Sequence, residues 1–329
     1  MTDMTTMTDY HISLQNPARE RQQEMETLLL AQVDADRSPL EAALAGLIAA
    51  GGKRLRPRMA LLVGGMLDAQ PGALVSLAAA IEMLHTATLI HDDLVDGSGL
   101  RRGVETLNAR WSAAASVLVG DLAFTRAAEL ILGTRTLPVV EMFTRTMGLM
   151  VEGEVGQLAR LRGIANRAEY FRWIGAKTAA LFELACGAPA LLSAAGEQAF
   201  MPARRFGYAV GMAFQIVDDV LDYTGNPGLL GKPVGSDLHQ GTMTLPALIY
   251  LEEHPGDAQL AKILQHERLE EPALEALVER IRRSEAANLS LEIAHGFIRE
   301  ALDELALLPA CPARFALVEI ALDIVLQDR

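Results

Sequence analysis

Cysteine is scarce. Cys186 and Cys311 are the only two in 329 residues, far apart and in no metal-ligand spacing. That excludes a disulfide-stapled fold and a cysteine metal centre, and both read as reduced core residues of a cytoplasmic protein. Aromatics make up only 5% of the chain while Ala and Leu abound, a balance that favours helices over sheets. Basic charge is in deficit, with 29 Lys and Arg against 42 Asp and Glu and a net charge of -13. The basic stripe that a nucleic acid requires is therefore absent, and no nucleic-acid partner is expected. Residues 1–13 have neither a basic start nor an apolar stretch, so they read as a disordered tail and not as a signal peptide. The most apolar run, 73–91, carries Glu82 and His85, which makes it a buried helix and not a transmembrane segment. No G-x-x-x-x-G-K-[ST] phosphate loop, no serine or cysteine nucleophile motif and no short-period repeat is found.

Half of the residues are hydrophobic, ample for a large core. Helical periods run through 57–68, 73–96, 106–132, 137–161, 167–194, 198–223 and 243–252, with shorter runs towards the C-terminus. Sustained alternation of apolar and polar residues is missing, so no strands are expected. Ser38-Pro39-Leu40-Glu41 has capping-box spacing with proline at the first helical position, and Gly51-Gly52 ends that helix. Length alone would suggest about two domains, but no linker divides the chain. One all-α domain over 14–329 is the expectation, its longest loop the glycine-rich stretch 223–237.

Two motifs carry the chemistry. "LIHDDLVDGSGLRRG" (89–103) supplies Asp92, Asp93 and Asp96, and "FQIVDDVLDYTG" (214–225) supplies Asp218, Asp219 and Asp222. Steps of three and four put His85, Thr88, Asp92 and Asp96 on one helix side, and likewise Gln215, Asp218 or Asp219, and Asp222. Acids at a helix C-terminus oppose the macrodipole, and such charge persists most readily when cations neutralise it. Clustered carboxylates without Cys or His suit a hard cation. Mg2+ fits, bound through one or two carboxylates, waters and a substrate's phosphates.

Basic residues say what accompanies the metal. "GGKRLRP" (51–57) offers Lys53, Arg54 and Arg56; Arg101 and Arg102 follow the first acid motif; Lys232 lies in the glycine-rich loop. Arg54, Arg58 and Arg110 read as solvated. Lys177, inside the apolar run "IGAKTAALFELA", needs a partner. Mg2+ with several fixed cations implies a polyanion, most economically two diphosphates. His85 and His91 lie on different helix faces, poor spacing for zinc.

The chain resembles the trans-isoprenyl diphosphate synthases of the polyprenyl synthetase family, closest to the long-chain, octaprenyl-type members. The resemblance runs from "GGKRLRP" through "HTATLIHDDLVDGSGLRRG", "ASVLVGDLAFTRA", "EGEVGQL", "KTAALFE" and "FQIVDDVLDYTG" to "GKPVGSDL". It implies an all-α fold of antiparallel helices around a deep central cavity, usually in a homodimer. By matching motif it implies that Asp92 and Asp96 bind two Mg2+ ions on an allylic diphosphate and Asp218 a third, supported by Asp93, Asp219 and Asp222. Lys53, Arg56, His85 and Arg102 match an isopentenyl diphosphate site. Arg101, Lys177, Gln215 and Lys232 match allylic diphosphate contacts, with Thr178 near the ionising end; Lys177, Thr178 and Gln215 are the expected catalytic set. One departure is Thr242 in "GTMTLP", where the family often has lysine. It implies weaker diphosphate contact there, or compensation by Lys232.

Short-chain members block the product path with aromatic residues four and five positions before the first aspartate. Here those positions are Thr88 and Ala87, with Leu84 one turn deeper and Ile81, Met147 or Met150 as candidate floor. A long-chain product is expected, with geranylgeranyl or farnesyl diphosphate as the alternative and plain helix packing as the bland reading of Ala87. A terpene cyclase would lack the second D-D-x-x-D and the isopentenyl site. A non-catalytic subunit of a heteromeric synthase would be expected to have eroded acid motifs, and both are whole.

Overall fold

The computed structural model describes residues 16–101, 104–158, 166–225, 234–265, 267 and 269–326. The tail 1–13, Arg102, Lys232 and most of the glycine-rich loop lie outside the described residues. The helices are α1 (Asn16–Leu30), α2 (Pro39–Ala49), α3 (Leu55–Met66), α4 (Pro71–Val95), α5 (Leu107–Arg110), α6 (Ala113–Leu132), α7 (Leu137–Leu158), α8 (Arg167–Ile174), α9 (Ala180–Gly187) and α10 (Gly196–Thr224). After them come α11 (Ser236–His239), α12 (Leu245–Glu253), α13 (Ala258–Leu264), α14 (Glu271–Arg283), α15 (Ala286–Ala306) and α16 (Pro312–Leu326). A π-helical turn, Gly175–Ala179, joins α8 to α9, and a 3-10 segment, Ala188–Leu192, follows α9.

The all-α expectation holds, with corrections of detail. A small antiparallel hairpin, β1 (Leu100–Arg101) with β2 (Val104–Glu105), follows the first acid motif, pairing Leu100 with Glu105. Strands this short carry no alternation to read. The run expected over 106–132 breaks at Trp111, because the Ser112 hydroxyl caps a new helix by accepting from the Ala115 N–H. The run over 167–194 is four pieces, not one. At α2 the Ser38 hydroxyl accepts from the Glu41 N–H as expected, but the Glu41 carboxylate turns to the Asp34 N–H, so only half the capping box forms. Gly51 beyond α2 takes the left-handed conformation, φ 67°, that favours glycine at a helix end.

The core falls into two groups. One gathers around α4, which packs on α6; the other around α10, which packs on α9 and α15. Helix α3 touches α4, α9 and α16 and so ties the groups together. Helix α4 is apolar nearly all round and correspondingly buried, as a central helix must be. Among the described residues it is the one helix long and apolar enough to cross a membrane, and most of its apolar stretch is buried in the protein. Glu82 in it is matched by Arg54, not by solvent.

Glycines at a four-residue interval set α10 against its neighbours. A Cβ at Gly207 would sit 2.3 Å from the Phe182 carbonyl oxygen, and one at Gly211 would sit 2.6 Å from the Ala179 Cα. Larger residues there would push α10 off α9 and off the π turn. This close approach brings the C-terminal half of α10 to the residues of "GAKTA".

Candidate active site

Each acid motif sits on the last turns of a central helix. Asp96 is the C-cap of α4, and Asp222 lies in the final turn of α10. In both, the second carboxylate is buried and committed within the protein. Asp93 is 8% exposed, and both of its oxygens accept from Arg101 Nε, at 2.7 and 2.9 Å. Asp219 is 2% exposed and accepts from the Tyr170 hydroxyl at 2.5 Å and from Gln215 Nε2 at 2.8 Å. The first and third carboxylates lie further out: Asp92 and Asp222 are half-buried, Asp96 and Asp218 exposed. Asp222 Oδ1 accepts from the Ser236 N–H and hydroxyl, and Oδ2 from the Asp237 N–H.

The π turn lies between the motifs. Lys177 is the ammonium on an apolar face that needed a partner, and it has several. Its Nζ is 2.5 Å from Glu154 Oε1 on α7 and 5.6 Å from the centre of the Trp173 ring. Burial works against this ammonium, but Asp92, Glu154 and Asp96 outweigh it and hold its pKa above the usual lysine value. Burial pushes the Asp92 carboxyl up to about 6; Glu154 and Asp96 add to the rise, while Lys177 and Arg101 oppose it. The next residue, Thr178, faces α10, and its hydroxyl donates to Gln215 Oε1 at 2.7 Å. A five-residue helical turn shifts side chains off the α-helical register, which lets adjacent residues serve opposite walls.

On the "GGKRLRP" side, Arg56 reaches inward. Its guanidinium carbon is 4.4 Å from the Phe182 ring centre, one of its terminal nitrogens is 3.2 Å from His85 Nε2, and its buried Nε has no hydrogen-bond partner. Burial pulls its pKa down to about 10 against the opposing pull of Glu82 and Asp218. A buried guanidinium short of acceptors is an anion site. Lys53 is exposed beside it. Arg54 is a correction: it is not solvated but ion-paired to Glu82, and it donates to the Ile48 carbonyl. Its left-handed backbone, φ 46°, turns it back onto α4. Arg58 is half-buried near Asp323 and Glu319 and so is not a solvated face either; Arg110 is exposed as expected. Thr242 is half-buried and donates its backbone N–H to the Asp237 carbonyl at 2.8 Å.

Among the described residues no three His, Cys, Asp or Glu side chains are gathered closely enough to hold an ion unaided. The donors at hand are carboxylate oxygens, hard ligands of the kind that hold a divalent cation together with waters and substrate phosphates. A separate cleft of about 740 Å³, lined by Arg204, Arg205, Tyr208 and Phe297, lies earlier along α10. Its arginines already face Glu183 and Glu304, so it lacks spare positive charge for a diphosphate.

The polyprenyl synthetase model matches residues 37–281. The chain belongs to the polyprenyl synthetase family. An octaprenyl diphosphate synthase of Haemophilus influenzae is 36% identical over 94% of both chains. Heptaprenyl diphosphate synthase component 2 of Bacillus subtilis is 35% identical over 84% of this chain and 79% of that one. The crystal structure of a polyprenyl synthase from Caulobacter crescentus, complexed with calcium and isoprenyl diphosphate, superposes with a TM-score of 0.87 at 38% identity, covering 94% of this chain and 95% of that one. The fold is accordingly that of the all-α isoprenoid synthases, and the chain is a prenyltransferase, a prenyl diphosphate synthase.

Three residues of the candidate site have no counterpart in the sequence reading. Glu154 and Trp173 surround Lys177, and Tyr170 holds Asp219. Glu154 lies inside the quoted "EGEVGQL" and could have been found as the missing partner of Lys177. Tyr170 meets a residue 49 positions away, a pairing that local pattern does not carry.

Proposed function

We propose that this synthase is Mg2+-dependent and condenses isopentenyl diphosphate head-to-tail with an allylic diphosphate, making a long all-trans polyprenyl diphosphate. The observation that carries the reading is the π turn between the acid motifs, with Lys177 beside Asp92 and Thr178 joined to Gln215 beside Asp219. The hard oxygen donors of Asp92, Asp96, Asp218 and Asp222 would hold the metal, three ions by resemblance, and Asp93 and Asp219 would brace them from within. Held there, Mg2+ would supply the positive charge that makes the allylic diphosphate a good leaving group. Lys177 adds a fixed positive charge. Arg101, with Nε committed to Asp93, keeps its two terminal nitrogens for phosphate oxygens. Lys53, Arg56 and His85 bind isopentenyl diphosphate, with Arg102 and Lys232 joining the diphosphate contacts. Carbon–oxygen cleavage leaves an allylic cation, the isopentenyl double bond attacks it, and the departing diphosphate accepts the proton. No poised histidine base is required.

Product length follows from the core around α4. Ala87 and Leu84 are fully buried in one group with Ile81, Phe143 and Met150, and Met147 packs against it. Thr88 is half-buried and donates its hydroxyl to the His85 carbonyl. A tail running down α4 meets no aromatic at 87 or 88. Each helical turn, about 5 Å, admits about one isoprene unit, so products of roughly thirty to fifty carbons are expected. Phe143, unremarked in the sequence, joins Met147 and Met150 as candidate floor. Ala87→Phe should place a ring across the path and shorten the product to farnesyl or geranylgeranyl diphosphate with activity largely kept. Chromatography of the dephosphorylated products tests this, and an unchanged length distribution would mean the tail takes another route.

The subunit alternative is kept in view by the likeness to a protein named as a component. Assay of the chain alone with an allylic diphosphate, isopentenyl diphosphate and Mg2+ separates it from a self-sufficient enzyme. A homodimer is supported by apolar residues exposed on α6 and α7, among them Val117, Leu118, Leu149, Val151 and Val155.

A further inference from the structure

The reading above places Thr178 and Gln215 at the ionising carbon, and on that placement a second question turns: what fixes which way the Gln215 amide points? Its two ends are nearly isosteric, so packing cannot choose between them. Asp219 can. The amide turns its NH2 to Asp219 Oδ1, at 2.8 Å, and its oxygen to Thr178, whose hydroxyl donates at 2.7 Å. Asp219 is itself immobilised at its other oxygen by the Tyr170 hydroxyl, at 2.5 Å. The four groups form one directional chain, from Tyr170 on α8 through Asp219 and Gln215 on α10 to Thr178 on the π turn. Tyr170 and Asp219 are almost wholly buried, so water cannot take over either role.

We propose that Tyr170 is a positioning residue for carbocation formation, acting through Asp219 and Gln215 to fix the Thr178 hydroxyl. With its proton spent on Gln215, Thr178 presents oxygen lone pairs to the site. When the allylic carbon–oxygen bond breaks and its electron pair leaves with the diphosphate, positive charge develops on carbon. Lone pairs already aimed there stabilise it without reorganisation. A flipped Gln215 would offer its NH2 to Thr178 and turn the hydroxyl proton towards that cation. Asp219 is thereby a brace of the organic half of the site, distinct from Asp218, whose carboxylate is exposed.

Tyr170→Phe removes the hydroxyl alone and keeps the ring against Phe171 and Trp173. The expected result is a fall in kcat of about ten- to a hundredfold with KM for isopentenyl diphosphate unchanged, which loss of packing alone would not produce. In a Gln215→Leu background the same substitution should cost nothing further. Gln215→Glu alone sets two carboxylates face to face and should be severely impaired. Adding Asp219→Asn to it again gives every donor an acceptor, with the bond between positions 219 and 215 reversed and those from Tyr170 and Thr178 kept, and should recover activity; a metal-ligating Asp219 predicts further loss instead. Wild-type kcat in Tyr170→Phe, full additivity with Gln215→Leu, or further loss in the double exchange overturns the relay. Thr178→Val and Gln215→Leu both retaining wild-type kcat overturns the placement at the ionising carbon, and the relay with it. Impairment of those two with Tyr170→Phe unaffected overturns the relay alone.

Discussion

In the first acid motif the inner carboxylate, Asp93, is held by a cation on the hairpin that follows, Arg101; in the second the inner carboxylate, Asp219, is held by neutral donors, Tyr170 and Gln215. The outer positions differ as well. Asp222 is tethered through both oxygens to the start of α11, whereas Asp96, its counterpart, is an exposed C-cap. One five-letter pattern is thus set in two ways. The second motif is preorganised by hydrogen bonds that exist without metal, and the first is balanced by the charges of Arg101 and Lys177. Helical spacing explains the shared part: the second aspartate is turned about 100° from the first and about 60° from the third, which lie about 40° apart, and so faces the core.

The largest test asks whether the two settings nonetheless serve one metal–diphosphate assembly. Asp92→Ala and Asp218→Ala should each lower kcat by at least about a thousandfold, with the helical circular dichroism unchanged, since each would remove a ligand of the metal that neutralises charge developing on the leaving group. Combined, they should cost little more than either alone, as for groups acting as a unit. Multiplying effects would separate the motifs into independent sites.

A smaller effect separates the inner carboxylates. Arg101→Ala takes a counter-charge from the buried Asp93 and would remove a phosphate donor, so kcat/KM for the allylic diphosphate should fall about a hundredfold. Arg101→Lys should not restore it. A lysine has one charged nitrogen and cannot serve Asp93 and a phosphate together, as the guanidinium fork does. Recovery by lysine would show that only charge matters there. It would erase the proposed contrast with Asp219, whose partners are matched by geometry.

Both motifs, the helices that bear them and the need for a partner at Lys177 were legible in the sequence, because three- and four-residue steps and an ammonium in an apolar run are local features. The settings were not. Arg54 reads as solvated until a left-handed backbone folds it onto Glu82, and no local pattern announces that turn. The π turn is spelled Gly-Ala-Lys-Thr-Ala, as good an α-helix as a π-helix, and it forms where α10 presses close at Gly211. Asp93 and Asp219 look alike in sequence because their holders are brought by tertiary structure: Arg101 by a hairpin of two-residue strands, Tyr170 by a helix 49 residues earlier.

The smallest effect concerns what the loosely set motif costs before metal arrives. Burial raises the Asp92 pKa from 3.8 to about 6 in the folded chain. Between those values the native state holds a proton that the unfolded state has released, so stability falls as pH rises from about 4 to about 6, and the loss is complete above that. Two pKa units correspond to roughly 3 kcal/mol as an upper bound, less for a half-buried group that solvent partly screens. Asp92→Asn keeps the shape and removes the charge, at the expense of an attraction to Lys177 that Glu154 still supplies. Metal-free protein carrying it should melt a few degrees higher at pH 7, equivalent to roughly 1 kcal/mol, and its melting temperature should lose its fall between pH 4 and 6. Asp218→Asn, at an exposed carboxylate, should shift the melt by no more than about 0.5 kcal/mol. With Mg2+ and a diphosphate bound the order should reverse, wild type then melting above Asp92→Asn, because the carboxylate that was a liability becomes a ligand. Differential scanning calorimetry across that pH range, with and without ligand, measures all of this. An Asp92→Asn protein melting at or below wild type without metal would show that the first motif is as well preorganised as the second.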